Sequence, residues 1–192
     1  QLKAQKWAES KQKEIVYLGE SVSGGLNEKT SNQALLAKYQ LPDFTSVLEL
    51  AEAMKVSLAQ LRFLAFHRAV SKTSHYHFYS VPKKSGGKRL ISAPKPLLKK
   101  CQHWILESIL YKITPSEHVH GFVPKKSIVT NAKPHLHKDI VVNLDLKDFF
   151  PSISYKRVKG LFMNLGYSEQ LATILALTCT HYDMDKVNVD GD

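Results

Sequence analysis

The hydrophobic periodicity of the chain changes near His75, and this change limits the fold more than any other feature of the sequence. Before it, apolar residues recur every three or four positions, which predicts helices within residues 6–20, 31–40 and 46–69. After it, the aromatic and β-branched run "HYHFYSVP", the glycines of "KSGGK" and the run "RLISAP" predict a β-hairpin. The chain therefore combines helices with antiparallel β-structure.

Further elements are predicted after the hairpin. The run "PLLKKCQHWILESILYKI" has Pro96 suited to a first helical turn and apolar residues on one face. The run "DIVVNLDL" predicts a buried strand over residues 139–146, and "SYKRVKGLFMNLG" and "SEQLATILALTCT" predict helices separated at Gly166, the second capped by Ser168. The final "HYDMDKVNVDGD" predicts a short hairpin. This order of elements predicts the α+β class.

Charge and cysteine usage narrow the classes of function. Lys and Arg outnumber Asp and Glu by 27 to 17, a surplus typical of proteins with a polyanionic partner such as nucleic acid. The sequence has no apolar run of the roughly 18 residues that span a bilayer and no signal-peptide pattern, which predicts a cytoplasmic protein with no membrane partner. Cys101 and Cys179 form no ligand pair or disulfide framework. Because the chain starts without Met and stops in a turn-like sequence, we expect a piece of a longer protein.

The hairpin carries a concentration of positive charge. No acidic residue occurs between Glu52 and Glu107, and "PKKSGGKR" places four cations on the arms and tip of the hairpin. Such a finger can hold a triphosphate or a nucleic-acid backbone, since an arginine can grip two phosphate oxygens at once. The alternative is a solvated, lysine-rich turn.

Two carboxylates follow the predicted strand. Alternation places Asp145 away from the apolar face, at the strand end, and Asp148 follows three residues later. Hard oxygen ligands next to a phosphate-attracting surface are what a Mg²⁺ site for nucleotidyl transfer requires. The alternative is that both aspartates serve as turn and cap residues.

Four motifs together resemble the reverse transcriptase family, in that family's order. They are "YSVPKKSGGKRLISAP", "LLKKCQHWIL", "HGFVPKKSIVTNA" and "VVNLDLKDFFPSI", and the resemblance runs from about Tyr79 to Thr180. The pentapeptide "NAKPH" between the third and fourth is similar to the NAxxH signature of bacterial retron enzymes, whereas group II intron enzymes, the nearest alternative, generally lack it. The resemblance implies a right-hand polymerase fold with a helical N-terminal extension (1–70), fingers (71–138) and the first part of the palm (139–192).

The resemblance also implies roles for the residues after the predicted strand. Asp145 would be the first catalytic aspartate and bind both of two Mg²⁺ ions, with the Leu146 carbonyl as a further ligand. Phe150 would be the steric gate that excludes a ribose 2′-hydroxyl. Asp148 and Phe149 would contact the nucleotide near its triphosphate and sugar.

On the fingers side, the resemblance implies nucleotide and RNA contacts. The incoming deoxynucleoside triphosphate would be held by Lys83, Lys84, Lys88 and Arg89. Ser127, Asn131 and His135 would face the RNA.

The activity implied is that of an RNA-directed DNA polymerase. Retron enzymes copy part of their own structured non-coding RNA, from a guanosine 2′-hydroxyl, into branched RNA-linked single-stranded DNA, and the resemblance extends to anti-phage defence with an effector protein. The family also needs a later Tyr-x-Asp-Asp motif, which this sequence does not contain. We therefore expect the 192-residue chain alone to be inactive.

Two other classes of function remain open at this stage. Residues 50–68 resemble a helix-turn-helix DNA-binding module, although the would-be recognition helix is largely apolar. A non-catalytic scaffold that binds RNA and a partner protein is the other. A zinc site at the two histidine pairs, His118 with His120 and His135 with His137, lacks an accompanying carboxylate or cysteine.

Overall fold

The computed structural model describes residues 13–67, 71, 73–84 and 86–181. The elements before the hairpin are α1 (Gln33–Lys38), α2 (Val47–Ala53) and α3 (Leu58–Ala65). The hairpin strands are β1 (Tyr76–Pro82) and β2 (Lys88–Pro94). After it come α4 (Pro96–Ser108), α5 (Ile128–Ala132), α6 (Tyr155–Asn164) and α7 (Glu169–Cys179), with short 3-10 turns at Leu110–Lys112 and Lys133–His135. Helices and a two-stranded antiparallel sheet agree with the predicted α+β class at this coarse level.

Local signals in the sequence set the helix starts. Ser168 caps α7 by accepting a hydrogen bond from the Leu171 amide, as predicted, and Pro96 occupies the first turn of α4. The helix predicted over residues 46–69 is interrupted after α2, where Lys55 has a φ of 55°. Ser57 then starts α3 through a capping box. The predicted hairpin is confirmed, with Tyr79 paired to Ile91 and Val81 to Arg89.

The hydrophobic core is shared between residues 13–67, here called the N-terminal segment, and helices α4 and α7. Helix α7 is buried along nearly its whole length, including the polar Gln170 and Thr173. The Gln170 side-chain amide donates to the Leu26 carbonyl at 2.8 Å, and the Asn32 amide donates to the Gly166 carbonyl at 2.7 Å. The N-terminal segment therefore packs on the helices that follow the candidate site.

The helix-turn-helix alternative does not fit the packing of α3. Leu58, Leu61 and Leu64 of this helix are buried in the shared core. A recognition helix must present a polar face to base edges. Helix α3 is instead a packing helix.

Two sequence predictions of secondary structure are wrong in the described residues. Residues 14–20 are not helical, because the Ser23 hydroxyl accepts hydrogen bonds from the Leu18 and Gly19 amides and holds the backbone in a local turn. The predicted helix also covers residues 6–12, which lie outside the described residues, as does most of the hairpin predicted at the end of the chain.

The predicted buried strand over residues 139–146 is neither a strand nor buried. Ile140, Val142 and Leu144 are all exposed. A strand exists only through hydrogen bonds to a neighbouring strand, and the described residues provide no neighbour for this segment. The alternation of apolar residues indicates that this segment could pair as a strand. It does not indicate whether a neighbouring strand is present to pair with it.

None of the described helices combines the length and the apolar character needed to cross a bilayer.

Candidate functional site

The tip of the hairpin presents its cations to solvent. The turn is closed by backbone bonds, since the Lys83 amide donates to the Gly87 carbonyl at 3.0 Å and the Gly86 amide to the Lys83 carbonyl at 3.1 Å. Gly86 and Gly87 have φ values of 88° and 78°, a conformation that favours glycine. The side chains of the four predicted nucleotide-binding cations, Lys83, Lys84, Lys88 and Arg89, are exposed and form no ion pair or hydrogen bond within the described part of the chain. They are available to an anionic ligand.

Strand pairing separates these cations onto two faces of the hairpin. Arg89 lies opposite Val81, on the face that also carries Tyr79 and Ile91. Lys88 lies opposite Pro82, on the other face. Arg89 thus projects from the same face as the exposed ring of Tyr79. A cation beside an aromatic ring is suited to binding a nucleotide or a nucleic-acid strand.

Asp145 and Asp148 are exposed, and neither carboxylate has a hydrogen-bond or ion-pair partner among the described residues. The turn after them is closed without their side chains. The Ser152 amide donates to the Asp148 carbonyl at 3.0 Å, and the Ser152 hydroxyl donates to the Phe149 carbonyl at 2.6 Å. Asp148 lies in the turn with a φ of 53°, a conformation that Asp tolerates, so the turn alternative accounts for its backbone. Neither carboxylate takes part in closing the turn, and both side chains remain free to bind a ligand.

The oxygen ligands at Asp145 are of the type that a hard cation prefers, but they are too few to hold one. A carboxylate and the adjacent Leu146 carbonyl are oxygen ligands of the type Mg²⁺ prefers. Within residues 13–67, 71, 73–84 and 86–181, however, no three His, Cys, Asp or Glu side chains come together as a metal-binding group. Further ligands would have to come from a substrate, from water or from other carboxylates.

Three phenylalanine rings meet beside the aspartates. The rings of Phe149 and Phe150 lie edge to face with centroids 5.4 Å apart. Phe122, from the loop before α5, meets Phe150 edge to face at 6.0 Å. The predicted steric gate is therefore contacted by two other rings.

The predicted RNA-binding residues lie on and beside the short helix α5. Ser127 is its N-cap: the Ser127 hydroxyl accepts from the Thr130 amide at 3.2 Å, so this side chain has a structural role. Asn131 and His135 are exposed, and their side chains form no hydrogen bond with the described residues. His120 joins the preceding loop to this helix by a 2.9 Å bond from Nδ1 to Thr130 Oγ1.

The charge state of His120 is set by its surroundings. Partial desolvation, followed by the nearby Lys126, His118 and His135, lowers the pKa of His120 below its ordinary value. Because the Thr130 hydroxyl donates to the Ser127 carbonyl at 2.8 Å, His120 Nδ1 is the donor in the bond to Thr130. A neutral imidazole can make this bond, so the link is kept at neutral pH.

The structure brings some of the predicted site residues together and leaves others apart. Phe149, Phe150 and the loop before α5 are in contact. No ion pair joins the hairpin cations to Asp145 within the described residues. Phe122 was not singled out from the sequence, and His120 was considered only as a member of a histidine pair; the signal for Phe122 was an aromatic residue beside Gly121 in the motif "HGFVPKKSIVTNA".

Comparison with known proteins identifies related chains. A search of family models found no match. The retron Mx65 reverse transcriptase of Myxococcus xanthus is 41% identical over 166 residues, covering 86% of this chain and 39% of the relative. The retron Mx162 reverse transcriptase of the same organism is 42% identical over 79% of this chain and 31% of the relative. The retron Ec86 reverse transcriptase of Escherichia coli is 33% identical over 80% of this chain and 47% of the relative.

The extent of these matches includes the candidate site. Because 86% of the 192 residues are matched to the first relative, at most about 27 residues at either end lie outside that match. The hairpin and the segment from Asp145 to Phe150 therefore lie within it. The chain spans less than half the length of each of the three relatives.

Proposed function

This chain belongs to the family of retron reverse transcriptases, and on that premise we propose that the complete protein is an RNA-directed DNA polymerase. The observation that carries the proposal is the 41% identity over a stretch that includes both the basic hairpin and Asp145. In this proposal residues 71–138 belong to the fingers and residues 139–192 begin the palm. Residues 1–70 form the N-terminal extension.

The proposed template is a structured non-coding RNA, and the proposed product is single-stranded DNA joined to that RNA through a branch. The net charge of +10 and the unpaired cations of the hairpin support a polyanionic partner. Asn131 and His135 are proposed RNA contacts because both are exposed, one on α5 and one on the 3-10 turn that follows it directly. A role in anti-phage defence with an effector protein belongs to the same proposal and rests on family membership alone.

The reaction is the attack of a hydroxyl oxygen on the α-phosphorus of a deoxynucleoside triphosphate. A phosphodiester bond forms, the bond between the α- and β-phosphates breaks, pyrophosphate leaves, and the hydroxyl proton passes to solvent. Mg²⁺, when bound, would supply a Lewis acid for the attacking hydroxyl and for the leaving pyrophosphate. Asp145 and the Leu146 carbonyl are its proposed ligands here, together with carboxylates outside the described residues.

The remaining residues position the nucleotide. Arg89 would donate two hydrogen bonds to the triphosphate, with Lys83, Lys84 and Lys88 as point charges around it. Asp148 and Phe149 would contact the nucleotide at the adjoining turn. Phe150 would fill the space beside C2′ of the sugar, so that deoxynucleotides are selected by shape.

The assignment of Asp145 is tested by substitution in the complete protein. We expect Asp145→Asn to abolish primer extension on an RNA template and to leave RNA binding within about twofold, since the change removes a ligand charge and little volume. Asp139→Asn is the matched control, because Asp139 is an exposed carboxylate at the start of the same segment. Extension by Asp145→Asn at the wild-type rate would refute the metal-ligand role.

A further inference from the structure

Phe150 is held from one side by a residue that lies 28 positions earlier in the chain. The Phe122 ring meets it edge to face, with centroids 6.0 Å apart and planes inclined at 80°. The side chain of Phe150 is itself 66% exposed, so the surrounding core fixes little of its position. Contacts with other rings are what define where this ring lies.

The position of Phe122 is set by its backbone rather than by burial. The residue is 90% exposed, yet it has a φ of 59°, a left-handed conformation that is uncommon for a residue with a Cβ. Two residues earlier, His120 is tied to α5 through Thr130, and four residues later the Lys126 amide donates to the Val123 carbonyl at 3.2 Å. The loop is thus fastened on both sides of Phe122, and its ring is directed at Phe150.

Phe122 also lines a surface pocket. This pocket of about 450 Å³ is shared with Leu106, Tyr111 and Lys126.

We propose that Phe122 is a positioning residue for sugar selection, which keeps the Phe150 ring in the place where it would collide with a ribose 2′-hydroxyl. The inference deepens the proposed polymerase function and rests on it. A ribonucleotide can be accepted only if the Phe150 ring moves aside, and Phe122 adds the energy of an aromatic pair to the cost of that movement. Deoxynucleotides need no movement, so their use does not depend on the pair.

The expected effect follows from the strength of such a pair. Phe122→Ala should raise kcat/KM for a ribonucleoside triphosphate by about 2- to 12-fold, the change that corresponds to an edge-to-face aromatic contact. The value of kcat/KM for the matching deoxynucleoside triphosphate should stay within twofold of wild type. A residue with a purely structural role would lower both values together.

The experiment is single-turnover primer extension by the complete protein on a defined RNA template, with matched ribo- and deoxynucleoside triphosphates. Phe122→Ala, Phe150→Ala and the double variant form a double-mutant cycle. Ile128→Ala is the control, since Ile128 is also apolar and 87% exposed and lies six residues further along the same segment. Phe122→Tyr restores the ring and should return the wild-type selectivity.

The possible outcomes distinguish the positioning role of Phe122 from the steric-gate role of Phe150. If Phe122→Ala and Phe150→Ala both relax selectivity and the double variant is no more relaxed than Phe150→Ala, the inference is supported. If Phe150→Ala relaxes selectivity while Phe122→Ala stays within twofold of wild type, the positioning role is refuted and the gate remains. Unchanged selectivity in Phe150→Ala would refute the gate itself, and with it the role of Phe122. Equal relaxation by Ile128→Ala, or additive effects in the double variant, would also overturn the inference.

Discussion

Gly166 is a position where a single methyl group should damage the structure. Its φ is 110°, outside the range that residues with a Cβ readily adopt, which costs about 1–3 kcal/mol when such a residue is forced there. A Cβ at this position would lie 2.8 Å from the Asn32 carbonyl oxygen and 2.9 Å from the Leu35 Cβ. Overpacking of this kind costs a further 1–3 kcal/mol or so. We expect Gly166→Ala to lower the free energy of unfolding by about 2–6 kcal/mol.

The chain offers a matched control for this substitution. Gly160 lies inside α6, and a Cβ built there would have no neighbouring atom within 4 Å. Gly160→Ala should therefore stabilise the protein by roughly 0.5–1 kcal/mol, because alanine favours the helix. Urea unfolding followed by circular dichroism measures both variants. A loss below about 1 kcal/mol in Gly166→Ala would show that the contact between α1 and the turn before α7 yields at little cost, and would refute the reasoning.

The remaining predictions concern a buried hydrogen bond and the proposed nucleotide contact of the hairpin. Gln170→Leu should destabilise the protein by about 1–3 kcal/mol, because the Leu26 carbonyl loses its buried donor; an unchanged thermal midpoint would contradict this. Arg89→Lys should raise the KM for deoxynucleoside triphosphates about tenfold, because lysine keeps the charge but loses the two-pronged grip. Steady-state primer extension by the complete protein measures that KM, and a wild-type value would refute the proposed contact between Arg89 and the triphosphate.

Local sequence signals were sufficient wherever an element is defined by its own residues. Ser168, Pro96 and the glycine pair at Gly86 and Gly87 set the two helix starts and the hairpin turn in the structure as predicted. These signals work because capping and turn conformations depend on residues only a few positions apart. The α+β class followed from the order of the elements.

Features that depend on distant partners could not be predicted in the same way. The alternation in residues 139–146 indicates a strand, but whether one forms depends on a neighbouring strand, and the described residues contain none for it. The contact of Phe122 with Phe150 depends on a loop that crosses 28 positions of sequence, which no periodicity encodes. The sequence also could not show that the carboxylates of Asp145 and Asp148 are unpaired, because this depends on how the turn closes through Ser152.

The burial of α7 beneath the N-terminal segment has a consequence for the order of events during synthesis. The bonds that join Gln170 to Leu26 and Ser168 to Ser31 connect residues 144 and 137 positions apart. The N-terminal segment therefore leaves the ribosome long before the helix that completes its core, and the part of its apolar surface that α7 covers stays exposed to solvent during that interval. Slowing translation between the hairpin and α7 should lower the yield of folded protein more than slowing it after α7.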